Sequence, residues 1–516
     1  MLNVLYTGLP NLMELFNEHG AVVALYFGNT IKLMAGVGLT TIFLGVSCSW
    51  LVSVFDFPFR NSLSWMLILP LTIPTYVIAF IYTDIIELSG SLLHIFGNIV
   101  GIEMEGKSYV DGIRSVTGAV AFFSFVLYPY IYILTRVSFS IHSANYRNAV
   151  RMSGRGVIAS FFTVELLLAA PAMMAGAILV LAETINDYGA VDYFGIYTLS
   201  AGIFDIWLNK GELGQATALT VISIVLVVLL MILTKIVTGS AKKYAHSKNE
   251  PFVRIRLQGW QAWSVSGFVS LPFLLGFFIP FFVICRYALS VVMVGQYGDI
   301  LARIRDSLLV SVNAAALCLF LSLTFGIIRR FHHKPSIRLI TNISSLNYAL
   351  PSAVLAIGFL GIWTFFDTGI EYLNALGLSP EFYITGGLFS LIAAHACRFL
   401  SVANSNVFSN YRNINIKYDM VSFTMGKSKI EIFKDIHSSL LKQGLIYTFL
   451  AVFVDSLKEL PATLLLRPFD YNTLSTNIYE QMKSEQIVNA SLPAFFLILI
   501  GALPIIIFSR DKVLKS

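Results

Sequence analysis

Residues 455–468 read DSLKELPATLLLRP and stand at the end of a long apolar stretch, residues 440–461. About 20 mostly apolar residues are enough for a helix to cross the hydrocarbon core of a bilayer. A charge inside such a segment costs roughly 2.5–3.5 kcal/mol on insertion scales, so it usually has a partner or a task. Asp455, Lys458 and Glu459 therefore mark a predicted membrane helix whose end carries charges that need an explanation.

The composition of the whole chain favours one integral membrane body. Of its 516 residues 56% are hydrophobic and only 12% are charged, whereas soluble domains average about 25% charged residues. The four cysteines lie far apart in apolar surroundings and are interpreted as buried hydrophobic residues rather than as a disulfide framework or a zinc site. The first basic residue is Lys32, so a cleavable signal peptide is not predicted.

Eleven stretches are long and apolar enough to cross a membrane. They predict an all-α polytopic membrane protein with about 11 transmembrane helices. The stretches are residues 30–52, 63–83, 118–136, 167–188, 217–237, 264–289, 307–328, 340–365, 383–402, 440–461 and 493–509.

The distribution of Lys and Arg residues predicts the orientation of these helices in the membrane. The formal net charge is +6, and 25 of the 35 Lys and Arg residues fall in alternate loops that we predict to be cytoplasmic. The positive-inside rule then places the N-terminus outside and the C-terminus in the cytoplasm, although Arg286, Arg303 and Arg305 fall on the outer side. The positive charge is thus a topology signal, and no nucleic-acid partner is predicted.

The chain also repeats itself. The segment RMSGRGVIASFF (151–162) aligns with FTMGKSKIEIFK (423–434), 272 residues later, and ETINDYGAV (183–191) aligns with DSLKELPAT (455–463) at the same distance. Earlier segments, GNTIKL with RDSLLV and Pro74 with Pro351, align at a distance of 277. Internal repeats of this kind often build a transport path at their interface.

The repeat predicts two homologous halves and sets the domain boundaries. An N-terminal periplasmic segment covers 1–28, a first half 29–237, a cytoplasmic linker 238–263 and a second half 264–516. The first half shows five spans, whereas the family resemblance described next implies six in each half, so either the fold tolerates the loss or the true start lies upstream.

Several motifs resemble the fused two-domain permeases of bacterial ABC importers, in particular those for ferric iron. The matching segments are FDFPFR (55–60), LPLTIPTYVIAFIYTD (69–84), LYPYIYILTR (127–136), ETINDYGAVDYFG (183–195) and DSLKELPATLLLRPFDYNTLSTNIYE (455–480). The resemblance runs from about Asn29 to the C-terminus, and KELPATLLLRPF is its most specific part.

The resemblance implies a cytoplasmic coupling loop in each half that docks on an ATPase subunit. The positions that match the family pattern are Ala149, Gly154 and Val164 in the first half and Gly426 and Ile436 in the second. The family's acidic position holds Asn148 and Met420 here, and its Pro position holds Leu167 and Ser439, which leaves the details of docking open.

The same resemblance implies the partners and the location. It implies a bacterial inner-membrane protein that works with a homodimeric cytoplasmic ATPase and a periplasmic ferric-iron-binding protein. No cofactor is predicted in this chain, and ATP and Mg would be bound by the ATPase. The GKS at 426–428 is not a phosphate-binding loop, because Val421 stands where that motif requires Gly, so the chain is predicted to be a transport subunit and not an enzyme.

The repeated charges admit two interpretations. Because Glu183 aligns with Asp455, and Asp187 with Glu459, these acids, together with Lys458, are predicted to line or gate the translocation pathway. Carboxylates suit a hard cation such as ferric iron in transient contact, and no stable metal site is predicted. The alternative is that they cap helix ends, with Asp455 and Lys458 pairing across i,i+3.

Two other functions remain open from the sequence. The cargo could be thiamine, a phosphonate or another small solute, since related permeases share much of this signature. A transporter of another class, driven by an ion gradient, could instead use the membrane acids as proton or sodium sites.

Overall fold

A computed structural model of the chain describes residues 2–100, 112–152, 156–239, 254–295, 297–332, 335–336, 341, 344, 350–375 and 384–509. In these ranges the chain is almost entirely helical, and its strands are two short parallel segments, Phe55–Asp56 and Ile255–Arg256. Ten helices are long and apolar enough to cross a membrane, or eleven if one bent pair counts as a span. The prediction of an all-α polytopic membrane protein is confirmed.

The helices follow one another along the chain with short connections. Those used below are α1 (Leu2–Val54), α2 (Arg60–Met66), α3 (Thr75–Val100), α4 (Val116–Met152), α5 (Val157–Asn186), α6 (Gly189–Tyr193), α7 (Leu199–Phe204), α8 (Leu213–Gly239), α9 (Gly259–Val294), α10 (Ile300–Phe331), α11 (Ser352–Ala375), α12 (Leu388–Asn413), α13 (Ile416–Thr424), α14 (Lys429–Leu457), α15 (Pro461–Leu466), α16 (Leu474–Lys483) and α17 (Ile487–Ser509).

The first helix begins far earlier than the apolar stretch at 30–52 predicts. Helix α1 starts at Leu2 and carries a kink at His19, where φ is −129° and ψ is 21°. Leu15, Val23 and Tyr26 are all buried, and Val23 and Tyr26 lie on one face of the helix because they are three residues apart. Packing of this face stabilises a segment whose mean hydropathy alone does not reveal a span.

The predicted span 63–83 is broken into two pieces. The helical segment Arg60–Thr72 and the segment Thr75–Glu87 meet at an angle of 95°. Pro74 stands at the break, where its ring and missing N–H prevent a continuous helix. The aligned Pro351 immediately precedes α11, which therefore starts about 12 residues later than the predicted span 340–365.

Two π-helical turns mark the repeat in the backbone. One lies at Phe161–Glu165 within α5 and the other at Phe433–His437 within α14, and both begin five residues or fewer from the start of the helix. Their positions differ by 272, the distance found in the sequence. Two further π turns, Asp205–Asn209 and Leu274–Phe278, do not recur at this distance, so the recurrence at these two helix starts supports the repeat and not a function.

The described residues fall into two compact units, residues 2–7 with Gly298–Asn477, and residues 8–297 with 478–509. In the first unit α10, α12 and α14 pack against one another and α11 packs against α15. In the second, α5 packs against α4 and α8, and α9 packs against α17. The boundaries predicted for the two homologous halves stay a prediction, since a compact unit need not coincide with a sequence repeat.

Candidate functional site

The predicted coupling loop of the second half forms the short helix α13. Its N-cap is Asn415, whose side chain accepts a hydrogen bond of 3.0 Å from the Lys417 N–H. It is followed by Gly426 at φ +79°, a left-handed conformation that glycine adopts readily. The chain then turns into α14, which starts with a capping box formed by Ser428 and Glu431.

One face of α13 is apolar and exposed. Tyr418, Met420 and Val421 each expose more than half of their surface, whereas Asp419 and Ser422 on the other face are buried. Ile416, Phe423 and Met425 extend the exposed apolar set. Adjacent apolar side chains on a short helix are typical of a protein interaction surface.

Asp419 fastens α13 to two long helices. Its carboxylate accepts hydrogen bonds from Nε of Arg330 on α10, at 2.6 Å, and from Nε2 of His437 in the π turn of α14, at 2.8 Å. The His437 ring is fully buried and stacks on Phe331 at a centroid distance of 5.8 Å. A movement of α13 would therefore be passed directly to α10 and α14. The predicted residue Ile436 is partly buried beside His437.

The first half is described only in part at the corresponding loop. Gly154 lies outside the described residues, and Ala149 lies on α4 where side chains are not described. Val164 is partly buried in the π turn of α5. Next to it Glu165 is buried and accepts hydrogen bonds of 3.0 Å from Nε1 of Trp50 and from the Ser160 hydroxyl.

Sequence reasoning missed the buried polar groups behind both loops. Glu165 and His437 are 272 residues apart, so the repeat aligns them. The sequence could have indicated these buried groups, because both positions hold a polar residue between apolar neighbours. Nothing in the sequence indicated that Asp419 is their kind of buried partner, because a charged residue in a basic cytoplasmic loop is expected to face solvent.

At the far end of α14 the predicted charges separate into two pairs. Asp455 and Lys458 form the expected i,i+3 ion pair, with 2.9 Å between the carboxylate oxygen and Nζ. Glu459 is buried and forms an ion pair with Arg398 of α12, while one of its oxygens accepts from the Ala462 N–H at 3.3 Å. Arg398 also donates to the Ser352 hydroxyl. Glu459 is thus tied into the protein interior by a cation the sequence did not assign to it.

A buried histidine extends this polar network. His395, one turn before Arg398, contacts the Ser456 hydroxyl through Nδ1 at 2.8 Å and the Thr463 hydroxyl through Nε2 at 3.0 Å. The network connects α12, α14 and α15 within one unit. Both ring nitrogens are satisfied by hydroxyl groups, which is what a buried neutral imidazole requires.

The first half places Asp187 in a different environment. Asp187 follows α5 and accepts hydrogen bonds from the Thr75 hydroxyl and, at 2.9 Å, from the Ala190 N–H. Glu183 lies one turn earlier and is partly buried. The residue 272 positions before Arg398 is Val126. Asp187 therefore accepts from two neutral groups, the Thr75 hydroxyl and the Ala190 N–H, whereas the aligned Glu459 pairs with the charged guanidinium of Arg398.

The backbone frame around the two acids is nevertheless the same. Ser200 donates to the Asp187 carbonyl at 2.6 Å, and Ser475 donates to the Glu459 carbonyl at 2.9 Å. The helix that follows each turn is also held in the same way. At the start of α7 the Leu199 N–H donates to the Thr30 hydroxyl of α1 at 2.9 Å. At the start of α16 the Leu474 N–H donates to the Ser307 hydroxyl of α10 at 2.6 Å. These matched hydrogen bonds confirm in the structure the alignment of Thr30 with Ser307 at distance 277.

A pocket of about 190 Å³ opens beside the first of these turns. Its lining includes Asp192 and Asp205 and the phenols of Tyr26, Tyr188 and Tyr197. Asp192 accepts from the Tyr479 hydroxyl at 2.6 Å and pairs with Lys483 at 3.3 Å, and Asp205 accepts from Asn209 at 2.9 Å. Within the ranges that the structure describes, no group of three or more His, Cys, Asp and Glu side chains is placed to hold a metal ion.

Comparison with known proteins points to a transport role. Residues 41–243 match the family described as "Binding-protein-dependent transport system inner membrane component". The chain is also similar to the "Fe(3+)-transport system permease protein FbpB 2" of Haemophilus influenzae, with 22% identity over 491 residues, which cover 93% of this chain and 89% of that protein.

Proposed function

We propose that this chain, a fused two-domain permease of the binding-protein-dependent type in the inner membrane, moves ferric iron into the cytoplasm as part of an ATP-driven importer. The observation that carries the proposal is the similarity to a Fe(3+)-transport permease along nearly the whole chain, in both halves. The match to the transport family agrees with the resemblance predicted from the sequence, which is confirmed.

The energy would come from a partner. In the proposed cycle a homodimeric cytoplasmic ATPase, which binds ATP and Mg, docks on the two coupling loops. The exposed apolar face of α13 suits such a contact, and the hydrogen bonds from Arg330 and His437 to Asp419 would transmit its movement to α10 and α14. A periplasmic ferric-iron-binding protein would deliver the cargo to the opposite side.

The acids of the first half are the better candidates for contact with the cation. Glu459 already has its charge balanced by Arg398, and Asp455 by Lys458. Asp187 is held by neutral donors, so its carboxylate keeps a net attraction for a cation, and this attraction grows where water is partly excluded. Transient contact fits a transporter, because the cargo must be released.

The proposal is tested by reconstitution. The permease, its ATPase and the binding protein are placed in proteoliposomes, and uptake of radioactive iron is followed with ATP present. We expect uptake that requires ATP and the loaded binding protein and that survives collapse of the ion gradients. Uptake that follows an imposed proton or sodium gradient without ATP would identify a secondary transporter instead. ATP-dependent uptake of thiamine or a phosphonate, with none of iron, would keep the importer and reject the cargo.

The orientation is tested separately. A reporter that is active only in the periplasm should be silent when fused after Ser247 and active when fused after Ala375, because the basic loops are predicted to stay inside. The reverse pattern would overturn the cytoplasmic assignment of the C-terminus and of α13.

A further inference from the structure

The pocket of about 190 Å³ beside the turn after α5 has an exposed rim. Gly195, Tyr197 and Leu208 line it and are exposed, and all its lining residues belong to one compact unit. The turn lies at the end of α5 that is away from the predicted cytoplasmic loop, so the pocket is predicted to face the periplasm. Water takes about 30 Å³ in the liquid, so the pocket has room for several heavy atoms.

The charged side chains that line the pocket are two carboxylates and one ammonium group, an excess of one negative charge. They are Asp192, Asp205 and Lys483. Lys483 balances Asp192, with 3.3 Å between Nζ and the carboxylate oxygen. Asp205 accepts from the Asn209 amide at 2.9 Å and from the Tyr26 hydroxyl at 3.5 Å, and both donors are neutral. Among the described residues no cation forms an ion pair with Asp205.

The carboxylate of Asp205 is within reach of a solute. The residue is only partly buried, and its two hydrogen bonds use two of about four acceptor sites on the carboxylate. A carboxylate in a partly enclosed pocket attracts a cation more strongly than it does in bulk water, because the protein around it lowers the local dielectric.

The walls beside Asp205 are aromatic. Tyr197 is 57% exposed, and its ring centroid lies 6.0 Å from that of Tyr26. Tyr188 and Phe204, which also line the pocket, stack at a centroid distance of 3.7 Å. Aromatic faces attract organic cations within about 6 Å of the ring centroid. The lining therefore favours a cation that carries apolar groups.

Lys483 shows how this surface already holds one ammonium group. Its Nζ pairs with Asp192 and lies 5.7 Å from the ring centroid of Tyr479, whose hydroxyl donates to the same carboxylate at 2.6 Å. An acid and a tyrosine ring together thus bind an alkylammonium within the fold. Asp205 and Tyr197 offer the same two kinds of group without a lysine.

We propose that this pocket binds a primary ammonium group on a short alkyl chain. Asp205 neutralises the charge and accepts from its N–H groups, and the ring of Tyr197 covers the chain. A metal ion fits less well, because in the described ranges no three His, Cys, Asp or Glu side chains are placed to hold one.

Two sources offer this group. A small amine in the periplasm carries it, and so does a lysine on a protein that docks on that side. The second source rests on the proposed function, which supplies a periplasmic binding protein, whereas binding of the group itself does not depend on it.

The full-length chain, purified in detergent, is titrated with n-butylammonium chloride, with n-butanol as its neutral match, and with sodium chloride at the same ionic strength. Binding is read from the shift of the unfolding temperature. We expect saturable stabilisation by n-butylammonium alone. Equal stabilisation by n-butanol would show an apolar cavity, and equal stabilisation by sodium chloride would show a general salt effect. Either result would overturn the proposal.

Variants of the two charges should act in opposite directions. Asp205→Asn should raise the dissociation constant for n-butylammonium about tenfold or more, because hydrogen bonds to charged groups are about twice as strong as neutral ones. Lys483→Gln should lower it, because a positive charge leaves the pocket and Asp192 becomes available. The matched control is Glu212→Gln, which removes an exposed acid of the same compact unit outside the pocket. Unchanged affinity in Asp205→Asn, or an equal loss in Glu212→Gln, would contradict the site.

Tyr197 provides a test that changes no charge. Tyr197→Phe keeps the aromatic face and should keep the affinity, whereas Tyr197→Leu should raise the dissociation constant about twofold to fivefold. Unchanged affinity in the Leu variant would contradict the aromatic wall of the site.

Competition then identifies the source. Capture of the periplasmic binding protein by the permease is measured with and without saturating n-butylammonium. Lost capture would identify a lysine of that partner, and unchanged capture would identify a free amine. If the proposed function is wrong, the binding protein is not captured at all, while the titration with n-butylammonium gives the same result.

Discussion

The turns that follow α5 and α14 have the same backbone frame but balance their acids differently. In both, a serine donates to the carbonyl of the acid, and the acid accepts from a backbone N–H three residues on. Glu459 is neutralised by Arg398, whereas Asp187 accepts from Thr75 and a backbone amide. A repeat can therefore preserve the backbone arrangement of a turn while the side-chain partners of its aligned acids differ.

The largest expected effect comes from breaking the buried pair. Arg398→Leu leaves Glu459 buried without a countercharge, which should destabilise the protein by about 3–5 kcal/mol. We expect a large loss of folded protein in the membrane, measured as the monodisperse fraction after extraction. Adding Glu459→Gln to the same chain should restore much of it, because the orphaned charge is then gone. Equal loss in the double variant would mean that Arg398 acts through packing alone.

The next effect separates the two acids by function. Asp187→Asn removes a charge, but its amide oxygen can still accept from the Ala190 N–H and its NH₂ group can donate to the Thr75 hydroxyl. We therefore expect a normal protein level and iron uptake that is about tenfold slower per molecule, a barrier increase of about 1.4 kcal/mol. Glu459→Gln should instead lower the amount of protein and leave uptake per molecule largely intact. The measurement is uptake normalised to permease in the membrane.

The comparison between the acids fails under either of two results. If Asp187→Asn transports normally per molecule, the acid is only a helix cap. If Glu459→Gln is well folded and slow, the second copy also serves the pathway, as predicted from the sequence for both halves.

A moderate effect is expected at the coupling helix. Gly426 has φ +79° and no atoms near the position of a Cβ, so Gly426→Ala adds backbone strain of about 1–2 kcal/mol without a clash. Gly426→Trp adds the same strain and a bulky group that projects from the proposed docking surface. We expect the Trp variant to lose far more co-purified ATPase than the Ala variant.

Gly267→Ala is the matched control for this comparison. Gly267 lies within α9, outside both predicted coupling loops, and has an open Cβ position without a positive φ, so alanine is accommodated there without strain. ATPase capture should match that of the unmodified chain. Similar capture by the Ala and Trp variants of Gly426 would contradict docking at this loop.

The smallest effect is expected for the second charge pair. Lys458→Gln breaks the ion pair with Asp455, and both side chains are about one-fifth exposed. An i,i+3 pair of this kind contributes less than about 1 kcal/mol, so the unfolding temperature should change little. A loss comparable to that of Arg398→Leu would show that Lys458 stabilises the fold by more than this ion pair.

Local patterns in the sequence were sufficient for much of this structure. Hydropathy over about 20 residues located the spans, and Pro74 and Pro351 stand where helices break or begin. The segments 151–162 and 423–434, aligned at a distance of 272, end where the two π turns begin, although the sequence predicted loops there and no π turn. The Asp455–Lys458 pair was also within reach, because residues three apart on a helix are neighbours.

Contacts between distant residues were decided by the tertiary structure alone. Arg398 and Glu459 are 61 residues apart, and Arg330 and Asp419 are 89 apart, so no helical spacing connects them. Which cation balances which buried acid depends on how α10, α12 and α14 pack, and several basic residues were equally available in the sequence. The same holds for the start of α1, where packing of Leu15, Val23 and Tyr26, and not hydropathy, stabilises the helix. The sequence by itself determined the spans, the repeat and the local caps, because these follow from hydrophobic length and neighbouring residues. The tertiary structure determined that Glu459 pairs with Arg398, whereas Asp187 accepts from Thr75 and Ala190 among the described residues, because the partner of a buried charge is set by three-dimensional proximity.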